Sequence, residues 1–146
     1  MVKKKTAVLL LMVFCLLGIT GCSSKSELKD GYYTAQAAQP SHGWQEFVTI
    51  TVRSGKITSV EYNAKNDSGF IKSWDNAYMG NMKPVTGTYP NEYTRNYAAQ
   101  LLKKQAAGVD AIAGASHSSQ SFDKLSAAVI EQAKIGDSNV VMVDTE

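Results

Sequence analysis

The sequence predicts an α+β fold, in which a small antiparallel sheet with an N-terminal hairpin packs against two helices. Three observations predict it. The first half of the chain contains segments in which apolar and polar residues alternate, as in half-buried strands. The second half contains two segments whose apolar residues have helical spacing. About 125 residues follow the N-terminal leader, which is enough to bury one core without disulfides.

The first 22 residues have the layout of a secretory leader. Three lysines precede an apolar run, residues 7–17, that is shorter than the roughly 20 residues needed to span a membrane. Small residues then lead to Cys22. We therefore predict a signal peptide over residues 1–21. An anchor helix that is not cleaved is the alternative, and it would leave the domain on the same side of the membrane.

The "ITGC" sequence that ends at Cys22 resembles the lipobox of bacterial lipoproteins. This resemblance implies that Cys22 carries a diacylglyceryl group, which would hold the mature chain at the outer side of the cell membrane. Two or more acyl chains anchor a protein stably, whereas one holds it only marginally. Residues 22–29 are then the lipidated cysteine and a polar tether, and residues 30–146 form a single domain.

Removal of the leader also removes three lysines and lowers the formal charge from +2 to −1. The mature domain therefore has no excess of basic residues, which argues against nucleic acid as a partner. Cys15 leaves with the leader and Cys22 carries the lipid. No thiol then remains for a disulfide, for a metal or for nucleophilic catalysis.

Strands are predicted at the start of the domain and at the C-terminus. Residues 47–52 alternate between two faces and contain β-branched residues. Gly55 then supplies a turn, and the following strand has Ile57 and Val60 out of phase, which favours a bulge there. The result is an antiparallel hairpin, preceded by a strand that begins after Asp30. The last apolar run of the chain is predicted to be a closing strand.

Residues 64–92 contain turn-forming and aromatic residues without a sustained period. A long irregular segment in a small domain is usually functional, so we expect this one to wrap around a site. A helix is then predicted from Asn91 or Thr94 to Ala107, because its apolar residues share a face and Gly108 suits a helix end.

Hydroxyl groups accumulate before the second predicted helix, which we place over residues 122–134 with Ser121 as its N-cap. Gly114 and Ala115 have almost no side chain, so another group can approach their backbone closely. Ser116 follows directly, and the amides beyond it lead into a helix whose positive end favours an anion. This combination suits a phosphate. The alternative is that the serines only form caps and turns.

The segment "DAIAGASHSS" resembles the flavin-attachment segment of FMN-binding domains, in which Asp, two residues, Ser, Gly, Ala, Thr, one residue, Thr and Ser follow one another. The residues that match this pattern are Asp110, Gly114, Ala115, Ser116, Ser118 and Ser119. Ser116 takes the position of the acceptor hydroxyl. Ala113, Ser116 and Ser118 depart from the usual residue types, but a serine keeps the oxygen nucleophile that a phosphoester needs.

The resemblance extends over most of residues 30–135, because "DGYYTA" and "FVTITVRSGKITSVEYN" are similar to the opening strands of the same family. Such domains occur in flavin-carrying subunits of sodium-pumping NADH:quinone oxidoreductases and in extracellular electron-transfer lipoproteins. The resemblance implies that a flavin transferase esterifies FMN to Ser116. It also implies that a membrane oxidoreductase donates electrons. Asp110 would orient the acceptor or bind the metal of the transferase; the alternative is that it only caps a turn after Gly108.

Two other functions stay open at this point. The departures at Ala113 and Ser116 are compatible with a surface lipoprotein of the same fold that carries no flavin and acts as a binding module or antigen. Noncovalent binding of FMN is the other alternative. In the leading interpretation the protein is an electron carrier and not a self-sufficient enzyme.

Aromatic side chains in and around the irregular segment are candidates to stack on a flavin ring, and the alternative is that they only anchor the core or the loops. They are Trp44, Trp74, Tyr78, Tyr89 and Tyr93. We favour Trp74, because it lies in the least periodic part. His117 is adjacent to Ser116, a pair that would suit a hydrolase with a histidine base and a serine nucleophile. Adjacent residues seldom point at each other, however, and no nucleophile-elbow motif surrounds these two, which argues against hydrolysis. His42 and His117 have no carboxylates at metal-ligand spacing, so no metal site is predicted.

Overall fold

The computed structural model describes residues 27–146. The predicted signal peptide, Cys22 and the first part of the tether lie outside the described residues. Within residues 27–146, no helix has the length and apolar character that crossing a membrane requires. Leu28 and Lys29, which the sequence assigns to the tether, belong to the folded unit. Leu28 packs against the core, and the Lys29 N–H donates to the Ala133 carbonyl at 2.9 Å.

Four strands of the described part of the chain form one mixed sheet, in the spatial order β3-β2-β1-β4. The strands are β1 (Gly31–Ala37), β2 (Gln45–Arg53), β3 (Lys56–Lys65) and β4 (Val141–Val143). β1, β2 and β3 pair antiparallel, and the short β4 lies parallel to β1. The predicted α+β class, the hairpin and the closing strand are therefore confirmed.

The pattern of β2 explains the hairpin. Every second side chain of this strand is buried, as in Val48, Ile50 and Val52. The pairing of β2 with β3 shifts register between Thr51 and Val52, which is the bulge expected from the sequence. The bulge lets β3 bury Ile57 on the same face of the sheet.

Asp30 closes the β2–β3 turn from outside the hairpin. Its carboxylate accepts the N–H of Ser54 at 2.9 Å and the N–H of Gly55 at 3.0 Å. These two hydrogen bonds hold the pKa of Asp30 below its ordinary value. The start of the described chain is thereby fixed to the tip of the hairpin.

Three α-helices and a short 3-10 helix complete the fold of residues 27–146. The 3-10 helix is Lys72–Trp74, and the α-helices are α1 (Asn76–Thr86), α2 (Pro90–Lys104) and α3 (Ser116–Ile135). α2 packs on β3, and α3 packs on β1 and β2, so two helices cover the sheet as predicted. The rings of Tyr62, Tyr97 and Phe122 meet in the core between them.

α1 lies in the segment that the sequence indicates to be irregular, so that interpretation is wrong for these residues. None of its residues is buried, which is why no apolar period is visible, and Gly80 and Pro84 weaken the helical signal further. The sequence does contain two recognisable helix-capping residues at the ends of α1. The Asp75 carboxylate accepts the Tyr78 N–H at 2.9 Å, and Gly87 ends the helix with φ 78°.

The other two helices have different ends from those predicted. α2 ends at Lys104, before the predicted Ala107, because Gln105 adopts the left-handed conformation and its side chain bonds to the backbone of β3. α3 begins at Ser116, so Ser121 is not its N-cap. Ser121 is fully buried inside the helix, and its hydroxyl has no hydrogen-bond partner among the described residues.

Candidate functional site

The loop that precedes α3 fits closely against the end of α1 at Gly114. Gly114 has φ +79°, and a Cβ built on it would lie 2.2 Å from the carbonyl oxygen of Thr86. Other residue types rarely adopt this conformation, and none has room for a side chain here. This glycine therefore holds the end of α1 against the start of α3.

The hydroxyl of Tyr97 fixes the same loop from the core. Tyr97 belongs to α2, and its hydroxyl accepts the Ile112 N–H at 3.0 Å and donates to the Ala115 carbonyl at 3.4 Å. The Ala115 N–H in turn donates to the Ile112 carbonyl at 3.0 Å. The loop is thus held at both ends of one turn, directly before Ser116.

Replacing Tyr97 with phenylalanine should destabilise this turn. We expect the free energy of unfolding to fall by about 1 to 2 kcal/mol, because the Ile112 N–H loses its acceptor in a partly buried position. Chemical denaturation measures this loss, and the Ile112 amide should exchange faster with solvent. Tyr33→Phe is the matched control, because it removes a hydrogen bond to the Lys29 carbonyl instead. Unchanged exchange at Ile112 would contradict the role given to Tyr97.

α3 begins without a side-chain cap, since Ala115 occupies the N-cap position. The first backbone bond of the helix runs from the Ser119 N–H to the Ala115 carbonyl, at 2.9 Å. The N–H groups of Ser116, His117 and Ser118 have no acceptor among the described residues. Free amides at the positive end of a long helix suit an anion. The exposed side chain of Ser116 lies on the same turn.

A groove of about 210 Å³ opens beside this helix start. The motif contributes residues 114–118 to its lining. The other lining residues come from the chain before and at the start of β2, from the segment around α1, and from α2: Ser41, His42, Trp44, Glu46, Lys72, Tyr78, Met82 and Tyr93. The segment expected to wrap around a site therefore forms part of this groove.

Lys72 places a positive charge between two aromatic rings of the groove. Its Nζ lies 5.8 Å from the ring centroid of Trp44 and 4.7 Å from that of Tyr78. The two rings meet edge to face, with centroids 6.1 Å apart. Among the described residues, no other lysine or arginine lines the groove. Apolar rings beside a cation suit a ligand that is both aromatic and anionic.

A buried carboxylate and two tyrosines lie next to the start of α3. Glu46 is only 7% exposed, and the Tyr62 hydroxyl donates to its Oε1 at 2.7 Å. Burial, followed by the negative charge of Glu46, raises the pKa of Tyr62 well above its ordinary value. Burial also raises the pKa of Tyr93. The neighbouring Ser118 side chain offsets part of that rise, and the charge of Glu46 adds to it.

These tyrosines predict a loss of stability in alkali. Above about pH 10, tyrosines of the unfolded chain release their protons, whereas Tyr62 and Tyr93 in the fold keep theirs. The folded state then binds more protons than the unfolded state, so stability falls as pH rises. We expect the Tm to decrease between about pH 10 and pH 11, as followed by circular dichroism.

Glu46→Gln tests the part of this alkaline loss that comes from the Glu46 charge, which adds to the larger effect of burial. Without the negative charge, the pKa of Tyr62 and that of Tyr93 should both move down, so the Tm should depend less steeply on pH in alkali. Glu61→Gln is the control, because Glu61 is exposed on β3. A Tm that stays constant in the wild type over this range would show that neither tyrosine resists ionisation.

The structure brings together four of the seven residues that the sequence selects. They are Gly114, Ala115, Ser116 and Ser118, which all line the groove. Ser119 is buried behind them. Asp110 is exposed outside the groove, and its N–H donates to the Gln100 side chain at 2.8 Å. Trp74 does not line the groove either, since its indole is 64% exposed and meets the ring of Phe70.

Several lining residues were not selected from the sequence, namely Ser41, His42, Glu46, Lys72 and Met82. The sequence did contain a pattern that could have identified Glu46 as a buried residue. The alternation of β2 places it on the same face as Val48 and Ile50, and a carboxylate on a buried face usually has a specific partner. No comparable signal marked Lys72, because the surrounding segment has no period.

Neither hydrolysis nor metal binding gains support from this geometry. His117 lines the groove, but no hydrogen bond joins its ring to Ser116 among the contacts of the described residues, and His42 bonds to Ser41 at 3.1 Å. Within residues 27–146, no group of three or more histidine, cysteine or carboxylate side chains is arranged to hold a metal ion.

The chain belongs to the FMN-binding domain family, whose model matches residues 43–131. This range contains the motif loop and every other part of the groove lining except Ser41 and His42. Family membership identifies FMN as the cofactor.

Two relatives have a similar sequence over most of this chain. The 15 kDa lipoprotein of Treponema pallidum (strain Nichols) is 32% identical over 130 residues, which cover 88% of this chain and 92% of that protein. The crystal structure of CPE2226 protein from Clostridium perfringens is 37% identical and superposes with a TM-score of 0.78. That match covers 82% of this chain and 99% of the Clostridium chain.

The groove fits part of an FMN molecule. The uncapped amides of α3 and the Lys72 ammonium complement a phosphate, and Trp44 and Tyr78 supply aromatic surface to the same groove. Its volume of about 210 Å³ is below the roughly 300–1,000 Å³ of pockets that enclose a small ligand. A bound FMN would therefore stay partly exposed.

Proposed function

We propose that the protein is an FMN-binding lipoprotein, anchored by lipid on Cys22 at the outer side of the cell membrane, that carries electrons. A phosphoester to Ser116 holds the FMN. The observation that carries this proposal is the exposed hydroxyl of Ser116 at an uncapped helix start, on the rim of an aromatic groove. The lipoprotein relative and the "ITGC" sequence support the anchor.

Attachment requires a flavin transferase and FAD as its substrate. The Ser116 oxygen forms a bond to the phosphorus of the FMN half, the bond from that phosphorus to the AMP half breaks, and AMP leaves with the hydroxyl proton released. The loop positions the nucleophile for this step, because Gly114 and Tyr97 fix the turn before it. The attached FMN supplies reversible uptake and release of electrons.

Energetics favour a covalent bond at such a site. Holding a freely exchanging ligand at micromolar concentration takes about 8 kcal/mol of binding free energy. A helix terminus contributes roughly 0.3 to 1 kcal/mol toward an exposed anion. The rest of the binding free energy would have to come from a few contacts with aromatic rings, because the groove encloses only part of an FMN molecule. Outside the membrane a dissociated cofactor is lost by dilution, so an ester bond supplies the retention that this surface does not.

Flavin fluorescence after denaturation tests the proposal. The full chain is produced with and without a flavin transferase, denatured and separated by electrophoresis. A fluorescent band that depends on the transferase is the expected result. Flavin that passes into the filtrate of denatured protein would instead indicate noncovalent binding. A colourless protein in the presence of an active transferase would favour the surface module without flavin.

Lys72 should strengthen the interaction of the groove with the FMN phosphate. In a Ser116→Ala background, where FMN can bind only noncovalently, Lys72→Glu should weaken FMN binding by about tenfold or more, because it replaces an attractive charge with a repulsive one. Fluorescence titration with FMN measures this. Lys83→Glu is a matched control, because Lys83 lies over the ring of Tyr89 at 5.0 Å but outside the groove. Equal weakening by both variants would contradict a specific role for Lys72.

A further inference from the structure

The described chain enters the domain at the end of α3 that lies farthest from Ser116. The Lys29 N–H donates to the Ala133 carbonyl and its Nζ donates to the Ile135 carbonyl, each at 2.9 Å. A helix rises about 1.5 Å per residue, so Ser116 and Ala133 are about 26 Å apart along α3. Cys22 precedes Glu27 by five residues, which span at most about 18 Å. A lipid anchor on Cys22 would therefore be confined near this end of the domain.

An apolar groove of about 1,060 Å³ opens at the same end. Residues of the chain entry, of β3 and of the helices supply its apolar lining, including Leu28, Ile57, Ala106, Ala107 and Ile130. Ile135 at the end of α3 is 64% exposed, and Leu102 near the end of α2 is 39% exposed. We call this end of the molecule the base. It comprises residues 27–30, the β2–β3 turn at residues 53–58, and residues 102–107 and 127–137.

Charge is distributed unevenly between the base and the rest of the domain. The base carries six basic side chains, Lys29, Arg53, Lys56, Lys103, Lys104 and Lys134, and four acidic ones, Glu27, Asp30, Glu131 and Asp137. The other described residues carry five basic and nine acidic side chains. The base is therefore at +2 and the remainder, which contains the Ser116 groove, is at −4. A negatively charged surface attracts the first and repels the second.

We infer that the base lies on the anionic lipid bilayer that holds the anchor, and that the Ser116 groove points away from it. This inference rests on the proposed lipid on Cys22, which brings the base to the membrane. Lysine side chains contact acidic headgroups, and the exposed apolar side chains contact the interface between headgroups and acyl chains. A redox partner must then reach the flavin from the aqueous side, as a protein that is soluble or that extends well beyond the lipid surface.

Fluorescent probes at the two ends of the domain test this orientation. Single cysteines replace Ile135 in the base and Val85 on α1, which is 83% exposed and lies on the helix that supplies Tyr78 and Met82 to the groove. The full-length lipidated chain is labelled and reconstituted into vesicles of phosphatidylcholine and phosphatidylglycerol that contain nitroxide-headgroup lipid. The probe at position 135 should be quenched, and the probe at position 85 should not. Vesicles of phosphatidylcholine alone should quench position 135 less.

A pair of charge variants separates electrostatic contact from tethering. Lys56→Glu combined with Lys103→Glu should remove most of the quenching at position 135, while the protein still floats with the vesicles. Lys83→Glu combined with Arg95→Glu, which changes charge by the same amount outside the base, should leave it intact. Quenching that is equal at both positions, stronger at position 85, or unaffected by the base variant overturns the inference. Crosslinks between copies through position 135 also overturn it, because they place a second copy on the base.

Two outcomes separate this inference from the proposed function. If the labelled protein does not float with vesicles, the lipid anchor and the orientation both fail. If it floats and position 135 is not quenched, only the orientation fails. Flavin fluorescence of the denatured protein is independent of both.

Discussion

Ser116→Ala should abolish covalent flavin in this protein. The substitution removes the one atom that would be bonded to phosphorus, and Ser116 is exposed at the first turn of α3, so the fold should tolerate alanine. We expect the flavin band of the denatured protein to disappear, while the free energy of unfolding changes by no more than about 0.5 kcal/mol. The intact mass should lose the equivalent of one FMN less water.

Two control variants test whether the loss of flavin is specific to the Ser116 hydroxyl. Ser116→Thr keeps a hydroxyl at the same atom position and should retain flavin. Ser119→Ala removes a buried hydroxyl that does not line the groove, and it should also retain flavin. Flavin that persists in Ser116→Ala, or that disappears equally in Ser119→Ala, would falsify the assignment of the acceptor.

Gly114→Ala should have the largest effect on the fold around the site. A Cβ there would lie 2.2 Å from the Thr86 carbonyl oxygen, and the backbone at φ +79° disfavours any side chain. Overpacking costs about 1–3 kcal/mol, and the left-handed conformation adds roughly 1 kcal/mol. We therefore expect a loss of about 2 to 4 kcal/mol in the free energy of unfolding, together with reduced flavin attachment, because α1 must move away from the motif.

Gly69→Ala is a control that has the backbone strain of a side chain at positive φ but no steric overlap with a neighbouring residue. Gly69 has a similar φ of +82°, but a Cβ on it would meet nothing within 4 Å. The control should lose only the strain component, about 1 kcal/mol, and should keep its flavin. If the two variants were equally stable, the contact between Gly114 and Thr86 would not be what holds α1 in place.

The sheet and its two covering helices were predictable because burial leaves a period in the sequence. β2 alternates because one face meets the helices, and even the bulge was visible as a change of phase before Val60. α1 left no such trace, since none of its residues is buried. The start of α3 was misplaced because Ser121 has the residue type of an N-cap, whereas the helix begins five residues earlier, at Ser116.

The candidate site was predictable only where it is contiguous in sequence. The motif placed Gly114, Ala115 and Ser116 together before any coordinates were considered. The groove also needs Trp44, from the turn before β2, and Lys72, from the 3-10 helix. These two residues are far apart in the sequence, and only the tertiary fold brings them to the same groove. Trp74 was favoured over Trp44 on irregularity alone, and a lack of period says nothing about which ring faces inward.

The most direct measurement is the site of flavin attachment in the unmodified sequence, made on the full chain after production with a flavin transferase. Tryptic cleavage after Lys104 and Lys124 releases residues 105–124, which contain all the candidate hydroxyls of the motif. Fragmentation of this peptide by mass spectrometry should place the FMN phosphate on Ser116. Attachment to Ser118, Ser119 or any other residue, or an unmodified peptide from protein exposed to an active transferase, would contradict the account.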